Sequence, residues 1–222
     1  MSTPEPRTRG LADRIAAKVG TSATLPLPLS GTSPTAPLPL SSPPPTAAPA
    51  STGARTAPNV RGWVSAKPGA LLMLMPGELH FGSEPSQIRT LLGSCVAVTL
   101  WHPRRRVGGM CHFLLPQRQR SSNEPHDGRY GEEAVAALAQ AIQKQGMACS
   151  DFTAHLYGGA DTMSESSGVK FNVGERNIEK GWALIDQHGF SLDGVDVGDH
   201  VPRTVTLTLG SGEVHCRRGN AP

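Results

Sequence analysis

A pair of apolar segments separated by a short basic turn is the feature that most constrains the fold of this chain. The first segment, 96–101, is rich in β-branched and aromatic residues, and the second, 107–115, is also apolar. Between them lie His102, Pro103 and three consecutive arginines at 104–106. Such runs on either side of a turn are typical of neighbouring strands. The sequence therefore predicts a β-hairpin near the middle of the chain.

The predicted hairpin carries a cysteine and a histidine with complementary chemistry. Cys95 follows Gly93 and Ser94 where the first strand begins, and His112 lies in the second strand. A Gly-Ser turn tolerates unusual dihedral angles and leaves N–H groups available for an oxyanion. A thiolate is a nucleophile, and an imidazole can carry its proton to a leaving group. Cys95 and His112 are thus a candidate catalytic pair, with backbone N–H groups of Gly93, Ser94 and Val96 as candidate oxyanion donors.

Other interpretations of these residues remain open on spacing alone. Cys95 and His112 are 17 positions apart (112 − 95), which makes them cross-strand neighbours if the turn lies near 103–105. A cysteine in an apolar strand is more often a small buried hydrophobe, and a histidine there is often a satisfied core residue. Cys111 and His102 offer a rival Cys/His metal site, although without the ligand spacing usual for zinc.

Composition divides the chain into a tail and a folded domain. Residues 1–60 hold 12 of the 20 prolines and no Phe, Tyr or Trp. A segment with so little apolar mass cannot offset its chain entropy by burial. We therefore expect a disordered tail rich in Pro, Ser and Ala over residues 1–60, followed by one folded domain over residues 61–222.

Charge and hydropathy exclude several classes of function. The net charge is only +3, and the arginines flank apolar runs without interleaved aromatic residues, so nucleic-acid binding is not expected. The arginines at 104–106 fit a solvated turn or a contact with an acidic protein. There is no secretory signal and no run of 18 apolar residues, which predicts a cytoplasmic protein without direct membrane insertion. The four cysteines contain no C-x-x-C pair, so we expect reduced thiols.

Hydrophobic periodicity outlines the rest of the domain. It predicts two helices, at 130–145 and from Gly174 towards Gly189, with Gly146 and Gly189 as C-terminal caps. Besides the hairpin, further strands are predicted at 71–75, 87–92, 152–157, 204–209 and 213–217. Strands interleaved with two main helices predict an α/β (α+β) fold, a layered domain built on a mixed β-sheet.

Five segments together resemble the CheD family of bacterial chemotaxis proteins, the chemoreceptor glutamine deamidases. They are LLGSCVAVTLW, GGMCHFLLP, RYGEEAVAAL, LYGGADTM and VGERNIE, in the family's order. The resemblance covers residues 70–215 and implies a fold similar to that of bacterial toxin-type cysteine deamidases. The block at 198–203, GDHVPR, departs from the family's pattern.

The resemblance implies a reaction and a set of residues. Specific glutamine side chains on the cytoplasmic helical bundle of methyl-accepting chemotaxis receptors would be hydrolysed to glutamate through a thioester on Cys95, without metal or cofactor. His112 would be the general base and acid. The third catalytic residue of the family is a threonine shortly before Gly-Ser-Cys, which makes Thr90 the candidate, although the family's register falls at Arg89. A one-residue offset without a bulge would turn Thr90 to the opposite face of its strand.

Alternatives to this function also remain. CheD proteins in some bacteria stimulate CheC-type phosphatases, so this chain could be mainly a non-catalytic module that docks receptors or such a phosphatase. An unrelated cysteine protease or transglutaminase-like enzyme would use the same pair of side chains. Gly158, Gly159 and Ala160 could shape a groove for the substrate helix or simply form a tight strand-to-helix connection.

Overall fold

The computed structural model describes residues 59–161 and 173–220. Within these ranges a 3₁₀ turn, Cys149–Asp151, precedes β8. The strands and helices, in chain order, are β1 (Val60–Arg61), β2 (Leu71–Leu74), β3 (Leu79–Gly82), β4 (Gln87–Leu92), β5 (Val96–His102), β6 (Val107–Phe113), β7 (His126–Asp127), α1 (Gly131–Lys144), β8 (Thr153–Gly158), α2 (Val173–Gln187), β9 (Ser191–Val197), β10 (Arg203–Thr208) and β11 (Val214–Arg218).

Most of these strands belong to two sheets. One has the strand order β3-β6-β5-β8-β9 and the other β11-β10-β4-β2, while β1 and β7 pair separately. Both sheets are mixed, because β8 runs parallel to β9 and β2 runs parallel to β4 whereas their other neighbours are antiparallel. β5 and β6 form the predicted antiparallel hairpin.

An apolar cluster fills the space between the two sheets. Ile88 of β4 enters it from the four-stranded sheet, and Ala97 of β5 and Met110 of β6 enter it from the five-stranded sheet. All three are fully buried. Because side chains alternate between the faces of a strand, Thr90 and His112 point into the same interface.

The two helices cover the other face of the five-stranded sheet. α1 contacts β3 and β6, and α2 contacts β5, β8 and β9. The approach is close at Gly181 of α2, where a Cβ atom would lie 2.7 Å from Cδ1 of Leu156. The domain therefore has three layers, helices on a sheet on a second sheet, which confirms the predicted layered α/β fold.

The sequence predicted most of the longer elements and missed four of the strands in the described ranges. The seven predicted strands and both helices are present, and Gly146 and Gly189 lie just beyond the helix ends with φ of +71° and +73°. The missed strands are β3, β9 and the two-residue strands β1 and β7. β9 reads SLDGVDV, and its Asp and Gly residues have low strand propensity. It forms because each of its residues except Asp193, which lies at a β-bulge, pairs with β8.

Two predictions concern residues that lie outside the described ranges. The predicted tail, 1–60, lies outside them except for Asn59 and Val60, and the polar loop expected after Asp161 lies outside them as well. The boundary at 60/61 stays a prediction. No helix within the described ranges is both long enough and apolar enough to cross a membrane.

Candidate active site

Thr90 and His112 make contact across the interface between the sheets. Oγ1 of Thr90 donates to the carbonyl oxygen of Leu74 at 2.8 Å and lies 2.7 Å from Nδ1 of His112. A hydroxyl has one proton and a carbonyl oxygen only accepts. The hydrogen-bond pattern therefore assigns Nδ1–H of His112 as the donor to Oγ1, which leaves the lone pair of the imidazole on Nε2.

The alternation of β4 decides which residue before the Gly-Ser-Cys turn meets His112. Thr90 is fully buried towards the five-stranded sheet. Arg89 points to the opposite face, where its Nε donates to Oγ1 of Thr206 at 3.0 Å, and Leu91 is 61% exposed on that face. The structure thus brings Thr90, and not Arg89, into contact with His112.

His112 is buried and neutral. Its side chain is 1% exposed, and burial lowers its pKa to about 4 against a smaller opposing effect of the Leu74 carbonyl. Nε2 is buried without a hydrogen-bond partner in the described part of the chain. A neutral imidazole with an unprotonated Nε2 can accept a proton near pH 7.

Cys95 lies directly before the first paired residue of β5. The register places His112 opposite Ala97, so Cys95 is a diagonal neighbour of His112 and not directly opposite it. Diagonal neighbours have Cα atoms roughly 7–8 Å apart. Cys95 packs against the apolar cluster between the sheets, which is the face that carries His112. Sγ and Nε2 form no hydrogen bond in this conformation of the described site.

The thiol of Cys95 is half-buried, and burial raises its pKa. Since burial also keeps His112 neutral, the resting site holds a thiol and an imidazole and not a thiolate–imidazolium pair. Hydrogen bonds between catalytic groups often tighten only when substrate binds. In any reaction that uses Cys95 as the nucleophile, proton transfer from the thiol would therefore accompany the attack.

The turn that carries Cys95 is held through its carbonyl groups. The carbonyl oxygens of Gly93 and Cys95 accept from the N–H groups of Ala160 and Gly159 at 2.9 and 2.8 Å. A Cβ atom at Gly158, which has φ of +104°, would lie 2.2 Å from the Cys95 oxygen, so glycine is required there. All three residues at 158–160 are buried. They form the tight connection that anchors the turn, and a groove at this position stays a prediction.

The N–H groups of this turn differ in whether they already have a hydrogen-bond acceptor. Those of Gly93, Ser94 and Cys95 donate no hydrogen bond to any described residue. Val96 lies opposite Phe113 as the first residue of the β5–β6 ladder, and antiparallel alternation commits its N–H to that strand. The candidate oxyanion donors are therefore Gly93, Ser94 and Cys95, and Val96 is removed from the set expected from the sequence.

Asn177 of α2 joins the two segments that carry Cys95 and His112. Its Nδ2 donates to the carbonyl oxygens of Ser94 at 3.2 Å and Leu114 at 2.8 Å. The side chain is fully buried, and Oδ1 has no partner among the described residues. In the sequence this residue is only part of the segment VGERNIE, at the predicted start of a helix. A polar residue on the buried stripe of an amphipathic helix is the signal that would have found it.

The rival Cys/His metal site is not formed. Cys111 lies opposite Val98 and His102 opposite Val107 on the ladder, so the two are well separated along the hairpin. Cys111 is fully buried, which raises its pKa to about 12. No group of three or more His, Cys, Asp or Glu side chains in the described ranges is placed to hold a metal ion.

The fold and the site together define a class: a three-layered α/β protein that gathers a thiol, an imidazole and a threonine hydroxyl at one end of a two-sheet interface. The family model described as CheD chemotactic sensory transduction matches residues 114–218. A Chromobacterium violaceum protein, "Probable chemoreceptor glutamine deamidase CheD 1", is 43% identical over 147 residues, which are 66% of this chain and 76% of that protein. The chain belongs to the CheD family.

Other similar proteins extend this comparison. "Probable chemoreceptor glutamine deamidase CheD 3" of Dechloromonas aromatica is 40% identical over 68% of this chain and 90% of its own length. The Methanococcus maripaludis protein "Probable chemoreceptor glutamine deamidase CheD" is 35% identical over 68% of this chain and 96% of its own length. Among solved structures, the hypothetical protein YfiH of Bacillus licheniformis has a TM-score of 0.34 and 11% identity over 63% of this chain and 64% of that chain.

Proposed function

We propose that this protein is a protein-glutamine deamidase that converts glutamine side chains of chemoreceptors to glutamate. The observation that carries the proposal is the hydrogen bond from His112 to Thr90, which leaves an unprotonated Nε2 on the sheet face that also carries Cys95. The relatives that are 43% and 40% identical are named as chemoreceptor glutamine deamidases. Their names supply the substrate class.

In the first half-reaction, Sγ of Cys95 forms a bond to the carboxamide carbon of the glutamine. Nε2 of His112 takes the thiol proton as the bond forms. The oxyanion accepts hydrogen bonds from N–H groups of the turn. The N–H groups of Gly93, Ser94 and Cys95 have no acceptor among the described residues and are available for this role. The carbon–nitrogen bond then breaks, and His112 gives its proton to the leaving nitrogen. Ammonia departs, and a thioester remains on Cys95.

In the second half-reaction, Nε2 of His112 takes a proton from water, and the hydroxide attacks the thioester. The carbon–sulfur bond breaks and His112 returns its proton to the sulfur of Cys95. The carboxylic acid that is released gives its own proton to ammonia or water and becomes glutamate. Each cycle consumes one water and releases one ammonia, and the route uses protein groups and water alone. Thr90 keeps the imidazole in one tautomer throughout, since its hydroxyl accepts from Nδ1–H and is itself fixed by Leu74.

We place the target glutamines on the cytoplasmic helical bundle of methyl-accepting chemotaxis receptors, and the protein in the cytoplasm. The resemblance of Gly-Ser-Cys and of the block containing His112 to the CheD family supports this placement. A glutamine on a helix surface projects its carboxamide away from the backbone, so Sγ of Cys95 can reach the carbon without unwinding the helix.

A second function is also consistent with the neutral resting site. Because burial raises the pKa of Cys95 and lowers that of His112, the free protein carries no preformed thiolate. A module that docks receptors or stimulates a CheC-type phosphatase would need no thiolate. That function predicts that Cys95→Ala protein still binds its partner and still raises the phosphatase rate.

Peptide mass spectrometry tests the deamidase proposal. A purified receptor cytoplasmic fragment is incubated with the full-length protein, with Cys95→Ala, or with Cys216→Ala, which removes a half-buried cysteine outside the site. We expect the first and third proteins to convert specific glutamines to glutamate, with ammonia released and the chain uncut. Absence of conversion by the unmodified protein, or conversion by Cys95→Ala, would refute the proposal.

A further inference from the structure

The outer face of the four-stranded sheet exposes apolar side chains. No other element in the described part of the chain covers them. Only five large hydrophobic side chains in the described ranges are exposed, and four of them lie on β4, on β2 or directly after it. They are Leu71 at 45%, Met73 at 46%, Met75 at 59% and Leu91 at 61%. The inner face of this sheet packs against the five-stranded sheet, so these side chains occupy the outer side.

The strand register arranges this face in rows across the sheet. The row nearest the turn of Cys95 contains Leu91, Thr204 and Arg217. The next row contains Met73, Arg89, Thr206 and His215. We call these two rows the outer rows. Leu91 is two residues before Gly93, so the outer rows begin beside the candidate active site.

The outer rows are cationic as well as apolar. Arg217 is exposed and makes no ion pair with any described carboxylate, and Arg89 bonds only to the hydroxyl of Thr206 on the same face. Neither row contains Asp or Glu. Glu213 appears only at the far end of the face, beyond β11 and beside Thr208. A positive field next to the site attracts negatively charged partners.

A cavity lies within the row nearest the site. It has a volume of about 250 Å³ and is lined by Leu91, Thr204 and Arg217 together with Pro202 and residues 218–220. One apolar wall and one unpaired guanidinium suit a side chain that carries a carboxylate on an aliphatic stem. Glutamate is such a side chain.

We propose that the outer rows dock an amphipathic receptor helix that presents apolar side chains flanked by carboxylates. This inference rests on the proposed function, because it assigns the surface that positions the receptor whose glutamine enters the site. A helix places apolar and acidic side chains three and four residues apart on one face, which matches the apolar and cationic side chains that lie together in each outer row. Leu91 lies four residues before Cys95, so a receptor segment on the outer rows lies beside the turn that carries the thiol.

The test compares two surface variants with a matched control. Leu91→Asp and Arg217→Glu each change one exposed side chain of the outer rows. Arg105→Glu makes the same charge change at the hairpin turn, at the other end of β5 from Cys95. For each full-length protein, kcat and KM are measured on a purified receptor cytoplasmic fragment, and the dissociation constant for that fragment is measured in the Cys95→Ala background. The rate of Cys95 alkylation by iodoacetamide reports whether the site remains intact.

We expect both outer-row variants to raise KM and the dissociation constant about tenfold, with kcat and the alkylation rate unchanged and with Arg105→Glu like the parent. Unchanged KM and dissociation constant in both outer-row variants would overturn the docking surface even if deamidation is observed. A parent protein that binds the fragment but does not deamidate it, with binding lost in Arg217→Glu, would sink the proposed function and leave the docking surface. A change in the protein's own mass in solution, with receptor binding unchanged, would assign the face to self-association and overturn the inference.

Discussion

Oγ1 of Thr90 and Nδ1 of His112 lie 2.7 Å apart although the two residues belong to different sheets. The contact exists only while β4 and β6 keep their separation, and the bond of Thr90 to Leu74 ties the third strand, β2, to the same arrangement. The tautomer of the imidazole is therefore set by the packing of the two sheets. A small change in that packing should therefore disturb proton transfer by His112 even where Cys95 keeps its position.

Replacement of Thr90 by valine removes the hydroxyl and keeps the shape of the side chain. We expect kcat for receptor deamidation to fall by at least about tenfold, since His112 loses the acceptor that fixes its tautomer. The unpaired Nδ1–H and the Leu74 carbonyl should also reduce the free energy of unfolding by about 1–3 kcal/mol. Initial rates of ammonia release and urea denaturation measure the two effects.

Thr99 offers a matched control for this change. It is buried, and its Oγ1 lies 3.3 Å from Nδ1 of His155, so Thr99→Val removes a threonine–histidine contact elsewhere in the five-stranded sheet. We expect Thr99→Val to lower stability without lowering kcat, and Thr90→Ser to keep most of the activity. Equal loss of kcat in both valine variants would show that Thr90 acts only through stability.

The sequence was sufficient for the hairpin and for bringing His112 back towards Cys95. β5 and β6 are long apolar runs on either side of a marked turn, so local pattern and final structure agree. The direction of the Thr90 side chain was ambiguous, because a resemblance between sequences gives a position along the chain but not the face of the strand on which the side chain lies. Only the pairing of β4 with β2 and β10 settles that face.

Interactions between distant segments could not be predicted. Asn177 bonds to Ser94, 83 positions away, and the sequence shows only a polar residue in the first turns of a helix. β9 lacks strand propensity and depends on β8 for its existence. The burial of 158–160 likewise follows from contacts with the turn of Cys95, which glycine-rich sequence alone does not reveal.

The buried imidazole of His112 should make the protein sensitive to acid. Its folded-state pKa of about 4 lies below its ordinary value of 6.5, so the unfolded chain binds more protons between these pH values. The corresponding stability is fully present above pH 6.5 and is lost as the pH falls through 4. The loss from this residue is about 3 kcal/mol.

Urea denaturation of the parent and of His112→Gln at several pH values isolates this effect. Asp127, Glu133 and Asp196 also have lowered pKa values, but their acid loss is common to both proteins. We expect the stability of the parent to fall more steeply than that of the variant between pH 6.5 and 4. Parallel curves would mean that His112 is not buried in its neutral form.

Alkylation of Cys95 should report a thiol and not a thiolate in the free protein. Because burial raises the pKa of Cys95, we expect its reaction with iodoacetamide to keep accelerating as the pH passes the ordinary cysteine value of 9.0. Peptide mass spectrometry resolves Cys95 from Cys216, whose pKa burial raises to about 11. His112→Gln should not slow the reaction at pH 7. A plateau reached below pH 7 would instead reveal a preformed ion pair with His112.

Asn177 should act as a positioning residue for both catalytic segments. Asn177→Ala leaves the carbonyl oxygens of Ser94 and Leu114 unpaired, and we expect kcat to fall about tenfold with the receptor KM unchanged, because the surface that meets the receptor is intact. Asn177→Asp should be slower still, since a carboxylate cannot donate to either carbonyl.

The control for Asn177 is Lys180→Ala on the same helix. Lys180 bonds to Gln117 and Glu132 on the solvent side of α2, so this change weakens the helix contacts without touching the turn of Cys95. We expect Lys180→Ala to keep the parent kcat. If Asn177→Ala and Asn177→Asp lower the midpoint of urea denaturation but keep the parent kcat, Asn177 only stabilises the fold. A fall in kcat at temperatures where each variant is fully folded identifies the loss as one of alignment between Cys95 and His112.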